Sequence, residues 1–397
     1  MSDLFGNAPG DAVFDDMVDV RRALHRRPEL SMAEHFTTGV IRDQMKTLGI
    51  DEAIRASETG GIFVMDGGRP GRTVVVRGDI DGLPVQEDTS RGVRSEIDGV
   101  MHACGHDVHV ASVLGAASVL VSRREELPGR YVFLFQPGEE ALCGAKTMLD
   151  GGALSVMEGA RLTGFHVTSV LPTGMVALRN GIAMSEAHSL RFEITGPGGH
   201  VAIPSAQGDV IRATTELVSR LSSVVEGLAY EGSACVCSSG TLAAGTAVNV
   251  IPTSARVTGS LRTFTPDQRE EAFARLRTLC ETVAEDRGVH VELVLAEHTP
   301  AVVNDPVVTD LVEAEARAVL GSDKVLRIPP TQPSDDVSEF LERLPGCYFF
   351  VGGGPGDGSG GVHHSPSFFV EDEALRTGAS VLVRSALALA APERSGA

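Results

Sequence analysis

The sequence lacks tryptophan, has only 3 tyrosines, and is poor in basic residues, with 34 lysines and arginines against 53 aspartates and glutamates. The formal net charge of −19 argues against nucleic acid and anionic membranes as partners, because both require a basic surface. No apolar run approaches the roughly 20 residues that cross a bilayer. Residues 1–16 carry acidic side chains and lack the apolar segment of a signal peptide. We therefore expect a cytoplasmic protein, with neither nucleic acid nor membrane as a partner.

The six cysteines show no paired framework typical of a disulfide-stabilised protein, so we expect free thiols. The chain is instead 42% hydrophobic and contains 45 glycines, a composition typical of a loop-rich globular α/β protein. Because 397 residues exceed the usual size of one hydrophobic core, two domains are expected.

Patterns along the chain predict how these domains are arranged. Up to about residue 184, short apolar strand patterns alternate with helical patterns, which predicts a mostly parallel sheet flanked by helices. From residue 185 a period-two pattern begins a β-α-β-β-α-β order, which predicts an antiparallel sheet with helices on one face, as in ferredoxin-like folds. We therefore predict a discontinuous catalytic domain, residues 1–184 and 297–397, and an inserted α+β domain, residues 185–296.

Side chains that ligate metals or transfer protons follow four predicted strands of the first domain. They are Asp79 and Asp81, Glu139 and Glu140, His166, and the pair His363 and His364. An open α/β sheet places its functional site outside the carboxyl ends of its strands. The coincidence of these groups predicts a metal-dependent hydrolase, although each residue alone has a structural explanation.

The densest cluster contains Cys104, His106 and His109. A thiolate and an imidazole two residues apart can bind one metal ion when the backbone bends, and Gly105 permits that bend. The alternative is a helix N-terminus that merely contains histidines.

Of Glu139 and Glu140, one can ligate a metal while the other activates water as general base. The alternative there is a solvated acidic pair.

Each remaining candidate also has both a functional and a structural explanation. His166 ends an apolar strand and is otherwise a structural histidine, and His364 is otherwise a loop histidine. Asp79 and Asp81 can ligate directly, orient a histidine, or cap a turn. In the inserted domain, a histidine and an amide can donate to a developing oxyanion, and an arginine can hold a carboxylate. The candidates for these roles are His200, Asn249 and Arg262; turn chemistry and surface charge are the alternatives.

Three motifs give the chain a resemblance to a known family: RGDIDGLP at 77–84, MHACGHD at 101–107 and QPGEE at 136–140. With them, the chain resembles the zinc-peptidase-like amidohydrolases that include aminoacylases, hippurate hydrolases and plant auxin-conjugate hydrolases. The resemblance spans nearly the whole chain, from about residue 24 to residue 366.

The resemblance implies a site for two divalent metal ions in each subunit. The implied ligands are Cys104, His106, Glu140, His166 and His364. It implies Glu139 as general base, and we group Asp79 and His200 with it as catalytic. His200 and Asn249 would contact the substrate carbonyl, His200 from across a dimer interface, and Arg262 would bind the amino-acid carboxylate. The inserted domain would then act as lid and dimerisation domain of a homodimer or higher homo-oligomer.

Departures from the family pattern occur at Val108, Cys143, His363 and Ser367. None removes an implied ligand. His363 leaves open which histidine is the last ligand, and we favour His364 because it directly precedes Ser365 and Pro366.

The predicted reaction is metal-dependent hydrolysis of the amide bond of N-acyl-L-amino acids. The alternatives are a dipeptidase or carboxypeptidase, a deacetylase of the N-acetyl-diaminopimelate type, and a metal-binding protein without turnover. A thiolate with several imidazoles suits zinc, cobalt or nickel, and the resemblance also admits manganese.

Overall fold

The computed structural model describes residues 10–88, 92–203 and 208–392. The strands in these ranges are β1 (Glu52–Ile54), β2 (Gly61–Asp66), β3 (Arg69–Asp79), β4 (Pro128–Gln136), β5 (Arg161–Pro172), β6 (Val176–Leu178), β7 (Gly181–Met184), β8 (Glu186–Thr195), β9 (Gly199–His200), β10 (Ala229–Tyr230), β11 (Ser233–Ala234), β12 (Val236–Ala244), β13 (Val250–Ile251), β14 (Ser254–Thr263), β15 (His290–Thr299), β16 (Val302–Asn304), β17 (Val325–Arg327) and β18 (Gly346–Gly354).

The α-helices are α1 (Asp11–Arg26), α2 (His35–Thr47), α3 (His106–Val121), α4 (Gly144–Asp150), α5 (Val210–Arg220), α6 (Pro266–Arg287), α7 (Pro306–Leu320), α8 (Val337–Leu341) and α9 (Glu373–Ala390). Among the described residues, none of these helices is long and apolar enough to cross a membrane.

The chain divides into two compact units. The first contains the described residues up to 181, residues 303–328, and those from 335 onward; the second contains residues 182–302 and 329–334. The predicted boundaries assign residues 329–334 to the catalytic domain, whereas the structure places them in the second unit. These six residues are far from the insertion in sequence, so no local pattern signals that they belong with it.

The first unit is built on an eight-stranded sheet with the order β1-β2-β4-β3-β5-β18-β6-β17. Its four central strands, β4, β3, β5 and β18, run parallel, and antiparallel pairs lie toward the edges at β1–β2, β2–β4 and β18–β6. The apolar runs in the central strands are buried, for example Val74, Val75 and Val76, as expected when helices cover both faces of a parallel sheet. The predicted mostly parallel sheet is confirmed.

Strand register explains where the site lies. β3 pairs with β5 only as far as Arg77 opposite Gly164, whereas β5 and β18 remain paired up to Pro172 opposite Gly354. His166 therefore lies just beyond the paired end of β3, although β5 itself continues to Pro172, beyond the predicted strand end. The strand is longer than predicted because β18 satisfies its backbone hydrogen bonds.

The second unit contains a four-stranded antiparallel sheet with the order β12-β14-β8-β15. Helices α5 and α6 pack together and against this sheet. Thr265 begins α6 with a capping box, in which its side chain accepts from the Gln268 backbone N–H and Pro266 occupies the first turn. This order is the ferredoxin-like arrangement that the β-α-β-β-α-β pattern predicts, so the predicted α+β fold of the insertion is confirmed.

Candidate active site

Gly105 sets the relative positions of Cys104 and His106. It adopts the left-handed conformation, with φ 86°, and α3 begins at the next residue. A Cβ at this position would lie 2.4 Å from Cγ1 of Val167, so both the conformation and the space require glycine. The tight turn brings the Cys104 thiol and the His106 imidazole into the same buried region, near Asp79 at the end of β3 and His166 within β5.

His106 has one ring nitrogen fixed and the other without a partner. Nδ1 donates to Oδ1 of Asp81 at 3.1 Å. Nε2 is buried without a hydrogen-bond partner and lies 3.8 Å from both Oε2 of Glu139 and Oε1 of Glu140. Burial lowers the pKa of His106, but the neighbouring carboxylates, Asp79 first, outweigh it and raise the pKa to about 10. A cation beside Nε2 would take the place of that proton.

His166 and Cys104 form a second pair of donor atoms. His166 Nδ1 donates to the Val167 carbonyl at 2.7 Å, and Nε2 lies 3.3 Å from Cys104 Sγ. Burial and nearby histidines hold the pKa of His166 well below its ordinary value, so the ring is neutral. Burial, together with Glu140 and Glu139, raises the pKa of the Cys104 thiol well above its ordinary value. This thiol needs a bound cation to become a thiolate.

Glu139 and Glu140 lie beside these donors, in the loop that follows β4. Burial raises the pKa of Glu139 well above its ordinary value, and Asp335 and Glu140 add to the effect. Burial also raises the pKa of Glu140, to about 7, against the opposing effect of His106. Oε1 of Glu140 is buried without a hydrogen-bond partner. A bound cation would favour the ionised form of both carboxylates, which can serve as its ligands.

The two consecutive histidines in the loop between β18 and α9 contact different partners. His364 Nε2 lies 3.4 Å from Oε2 of Glu140, and its side chain is half exposed. His363 Nδ1 lies 3.6 Å from Cys104 Sγ. Burial, with smaller contributions from neighbouring histidines, lowers the pKa of His363 to about 3. Both rings therefore border the donor cluster.

Asp79 lies behind the cluster, where other side chains occupy both of its oxygens. Oδ1 accepts from His109 Nδ1, and Oδ2 accepts from Arg77 at 2.7 Å. The second nitrogen of His109 accepts from the Val167 backbone N–H at 2.8 Å. Both nitrogens of His109 are thus used within the protein, so this histidine supports Asp79 and has no lone pair available for a metal ion.

A buried polar network under the Glu139–Glu140 loop was not predicted from the sequence. Arg77 donates to Gln136 Oε1 at 3.0 Å, to Asp335 Oδ1 at 3.0 Å and to the Tyr348 hydroxyl at 3.0 Å. Asp336 accepts from Gln136 and, at 2.9 Å, from the Ala145 backbone N–H. Both ends of the loop are therefore tied to one network. The adjacent acidic residues Asp335 and Asp336 were the sequence feature that could have indicated this network.

The second unit holds the other predicted site residues. His200 in β9 pairs with Val250 in β13, and the Val201 backbone N–H donates to the Asn249 carbonyl at 3.3 Å. This pairing places the exposed His200 and Asn249 side by side. Arg262 in β14 donates to Oγ of Ser260 at 3.1 Å and also to Oγ of Ser334.

The first unit contains three overlapping groups of side chains whose donor atoms could bind metal ions. They are Cys104, His106 and His166; Cys104, Glu140 and His364; and His106, Glu139 and Glu140. Within each group the donor atoms lie within 4.8 Å of one another. Because the groups share members, and because buried donor atoms of His106 and Glu140 lack partners, the residues fit two adjacent cations.

Known proteins match most of this chain. Residues 75–388 match the model of peptidase family M20/M25/M40. The chain belongs to that family. An N-acetylcysteine deacetylase of Bacillus subtilis (strain 168) is 35% identical over 364 residues, which are 90% of this chain and 93% of that protein. An IAA-amino acid hydrolase of Arabidopsis thaliana is 34% identical over 382 residues, 94% of this chain and 85% of that protein.

A solved structure also resembles this M20/M25/M40 member. A protein of Bacillus subtilis, described as a dinuclear metal binding peptidase from the M20 family, superposes with a TM-score of 0.79 and 31% sequence identity, over 95% of this chain and 98% of that one. The predicted family resemblance and fold class are confirmed, as is the prediction of a hydrolase acting on amide bonds.

Proposed function

We propose that this M20/M25/M40 member hydrolyses the amide bond of N-acyl-L-amino acids and releases a carboxylic acid and a free amino acid. The observation that carries the proposal is the buried carboxylate of Glu139 beside a cluster of metal donors, in which His106 Nε2 and Glu140 Oε1 have no hydrogen-bond partner. The deacetylase and the auxin-conjugate hydrolase among the relatives support the same substrate class.

The proposed ligands of two divalent cations are Cys104, His106, Glu140, His166 and His364. When bound, such cations polarise the scissile carbonyl and lower the pKa of water. The thiol and the three imidazoles favour zinc, cobalt or nickel over manganese. Asp81 holds His106 in the tautomer that directs its Nε2 lone pair at the site.

Glu139 is the proposed general base and acid. Its carboxylate accepts the proton of the attacking water as the new carbon–oxygen bond forms. It then donates that proton to the amide nitrogen as the carbon–nitrogen bond breaks, so that the amino acid leaves as a neutral amine. Burial beside Glu140 and Asp335 raises the pKa of Glu139 and so makes its carboxylate a stronger base.

The proposed roles of the second unit concern the substrate. His200 and Asn249 donate hydrogen bonds to the carbonyl oxygen as it gains negative charge. Arg262 binds the carboxylate of the amino acid, for which a guanidinium is suited by its paired donors. We further propose a cytoplasmic homodimer in which His200 acts at the partner's site.

The test is hydrolysis of hippurate and a set of N-acetyl-amino acids by purified protein, first metal-free and then loaded separately with zinc, manganese, cobalt or nickel. Dipeptides form the comparison set. Metal-dependent release of a free amino acid from the N-acyl substrates supports the proposal. Hydrolysis confined to dipeptides, or metal binding without any turnover, contradicts it.

A further inference from the structure

His363 contacts the same sulfur atom that His166 contacts. Its Nδ1 lies 3.6 Å from Cys104 Sγ, and His166 Nε2 lies 3.3 Å from that sulfur. The centres of the two imidazole rings are 5.3 Å apart, and the ring planes make an angle of 63°. Two ring nitrogens therefore converge on one thiol.

Hydrogen bonds fix which nitrogen each ring presents. His363 Nε2 lies 3.3 Å from Oγ1 of Thr168, which can accept its proton. That leaves the lone pair of Nδ1 directed at Cys104. His166 donates its own Nδ1 proton to the Val167 carbonyl at 2.7 Å. Since His166 and Thr168 are two residues apart in β5, their side chains lie on the same face of the strand, and one strand orients both imidazoles.

We propose that His363 is an additional metal ligand, whose Nδ1 joins Cys104 Sγ and His166 Nε2 on one cation. The inference rests on the metal site of the proposed function. A tetrahedral zinc ion with ordinary zinc–sulfur and zinc–nitrogen bonds separates the sulfur from each nitrogen by about 3.5 Å. The observed separations are 3.3 and 3.6 Å.

The proposed donor set has a consequence for metal choice. A thiolate with two imidazoles is a softer set of ligands than a thiolate with one imidazole and carboxylates. The softer set favours zinc or cobalt over manganese. His363 therefore increases the preference of one of the two cation positions for zinc and cobalt. His364, which lies 3.4 Å from Glu140, remains beside the carboxylate.

The test uses the full chain and Co²⁺ and Zn²⁺ as probes. His363→Gln removes the imidazole and retains a polar side chain, and His363→Gly leaves space for free imidazole. His35→Gln, at the exposed start of α2, is the matched control. Dissociation constants are measured by competition with a chromophoric chelator, and the Co²⁺ form is examined for its d–d and thiolate charge-transfer absorption.

We expect His363→Gln to weaken one of two sites at least about tenfold, because loss of even an outer-shell partner costs roughly 10–100-fold in affinity. The cobalt spectrum should change in both His363 variants, and added imidazole should restore it in His363→Gly. The His35 variant should match the parent protein. Unchanged affinity and spectrum in both His363 variants would overturn the inference, as would a parent protein that binds no Co²⁺.

These results separate the inference from the proposed function. If metal binding depends on His363 but no N-acyl-amino acid is hydrolysed, the ligand assignment stands and the proposed function fails. If metal-dependent hydrolysis is found while the His363 variants bind metal like the parent protein, the proposed function stands and the ligand assignment fails.

Discussion

His106 donates its Nδ1 proton to Asp81 at 3.1 Å, while its Nε2 is buried without a partner. Asp81 also accepts from Oγ of Ser31 at 2.7 Å and from the Glu140 backbone N–H at 3.0 Å. One carboxylate thus positions a histidine and the loop that carries a second donor. The arrangement resembles metal sites in which a carboxylate fixes the tautomer and direction of a ligating histidine.

Asp81→Asn is expected to weaken metal binding by roughly 10–100-fold, because the variant loses the negative charge that holds the Nδ1 proton on His106. Metal affinity is measured by chelator competition. Ser31→Ala removes only one hydrogen bond to Asp81 and is the control, with a smaller expected effect. Equal affinity in the Asp81 variant and the parent protein would show that Asp81 does not position His106.

Glu139→Gln is expected to lower kcat by about 10²–10⁴-fold, the range for loss of a general acid–base group. The amide retains the shape of the side chain, so metal content should stay unchanged. Steady-state kinetics and elemental analysis measure the two quantities. Glu158→Gln, at an exposed position, should behave as the parent protein does. Near-normal turnover in the Glu139 variant would remove this residue from the mechanism.

Arg77→Met is expected to lower the free energy of unfolding of the first unit by about 3–5 kcal/mol, the usual cost of removing one partner from a buried charge network. The change leaves the buried carboxylates of Asp79 and Asp335 without their guanidinium. Denaturant unfolding measures the loss. Arg130→Met breaks the exposed pair with Asp66 and should cost less than about 1 kcal/mol. Similar losses in the two variants would contradict the role of the buried network.

Glu186 should make the stability of the second unit depend on pH. Burial raises its pKa, but the nearby imidazole of His188, hydrogen bonds from His298 and Thr263 and the charge of Arg269 outweigh burial and hold the pKa below its ordinary value. A depressed pKa stabilises the folded state above the unfolded-state value of about 4.3, and this stabilisation is lost as the pH falls through the folded-state value.

The parent protein should therefore be more stable than Glu186→Gln at pH 7, and the difference should shrink below about pH 4, where the unfolded carboxylate takes up its proton. Urea unfolding at a series of pH values gives the comparison. Glu193→Gln, on the same strand β8, controls for the substitution itself. A difference that is constant from pH 7 to pH 3 would show that the Glu186 charge does not stabilise this unit.

The sequence alone supplied much of the site because donor chemistry is a property of residue type. Glu140 and His166 were candidates because they follow predicted strands, and Cys104 and His106 because a thiolate and an imidazole on either side of a glycine can bind one metal ion. The structure brings them together because the carboxyl ends of parallel strands meet at one edge of the sheet. Their assigned roles stay predictions.

Other features could not be predicted because they depend on contacts between distant parts of the chain. Whether Asp79 or Asp81 orients His106 depends on how α3 packs against the end of β3. The network of Arg77 and Asp335 joins residues that are 258 positions apart. Such a contact cannot be predicted from the periodicity or the residue spacing of the sequence.

The sequence by itself determined the alternation of strands and helices, the antiparallel pattern of the insertion and the types of donor atom, since these follow from local periodicity and side-chain chemistry. Only the tertiary structure decided that His363 contacts Cys104 while His364 contacts Glu140. It also decided that both nitrogens of His109 are used within the protein. These outcomes depend on where a folded loop or helix places each ring relative to partners that packing of distant segments has brought near.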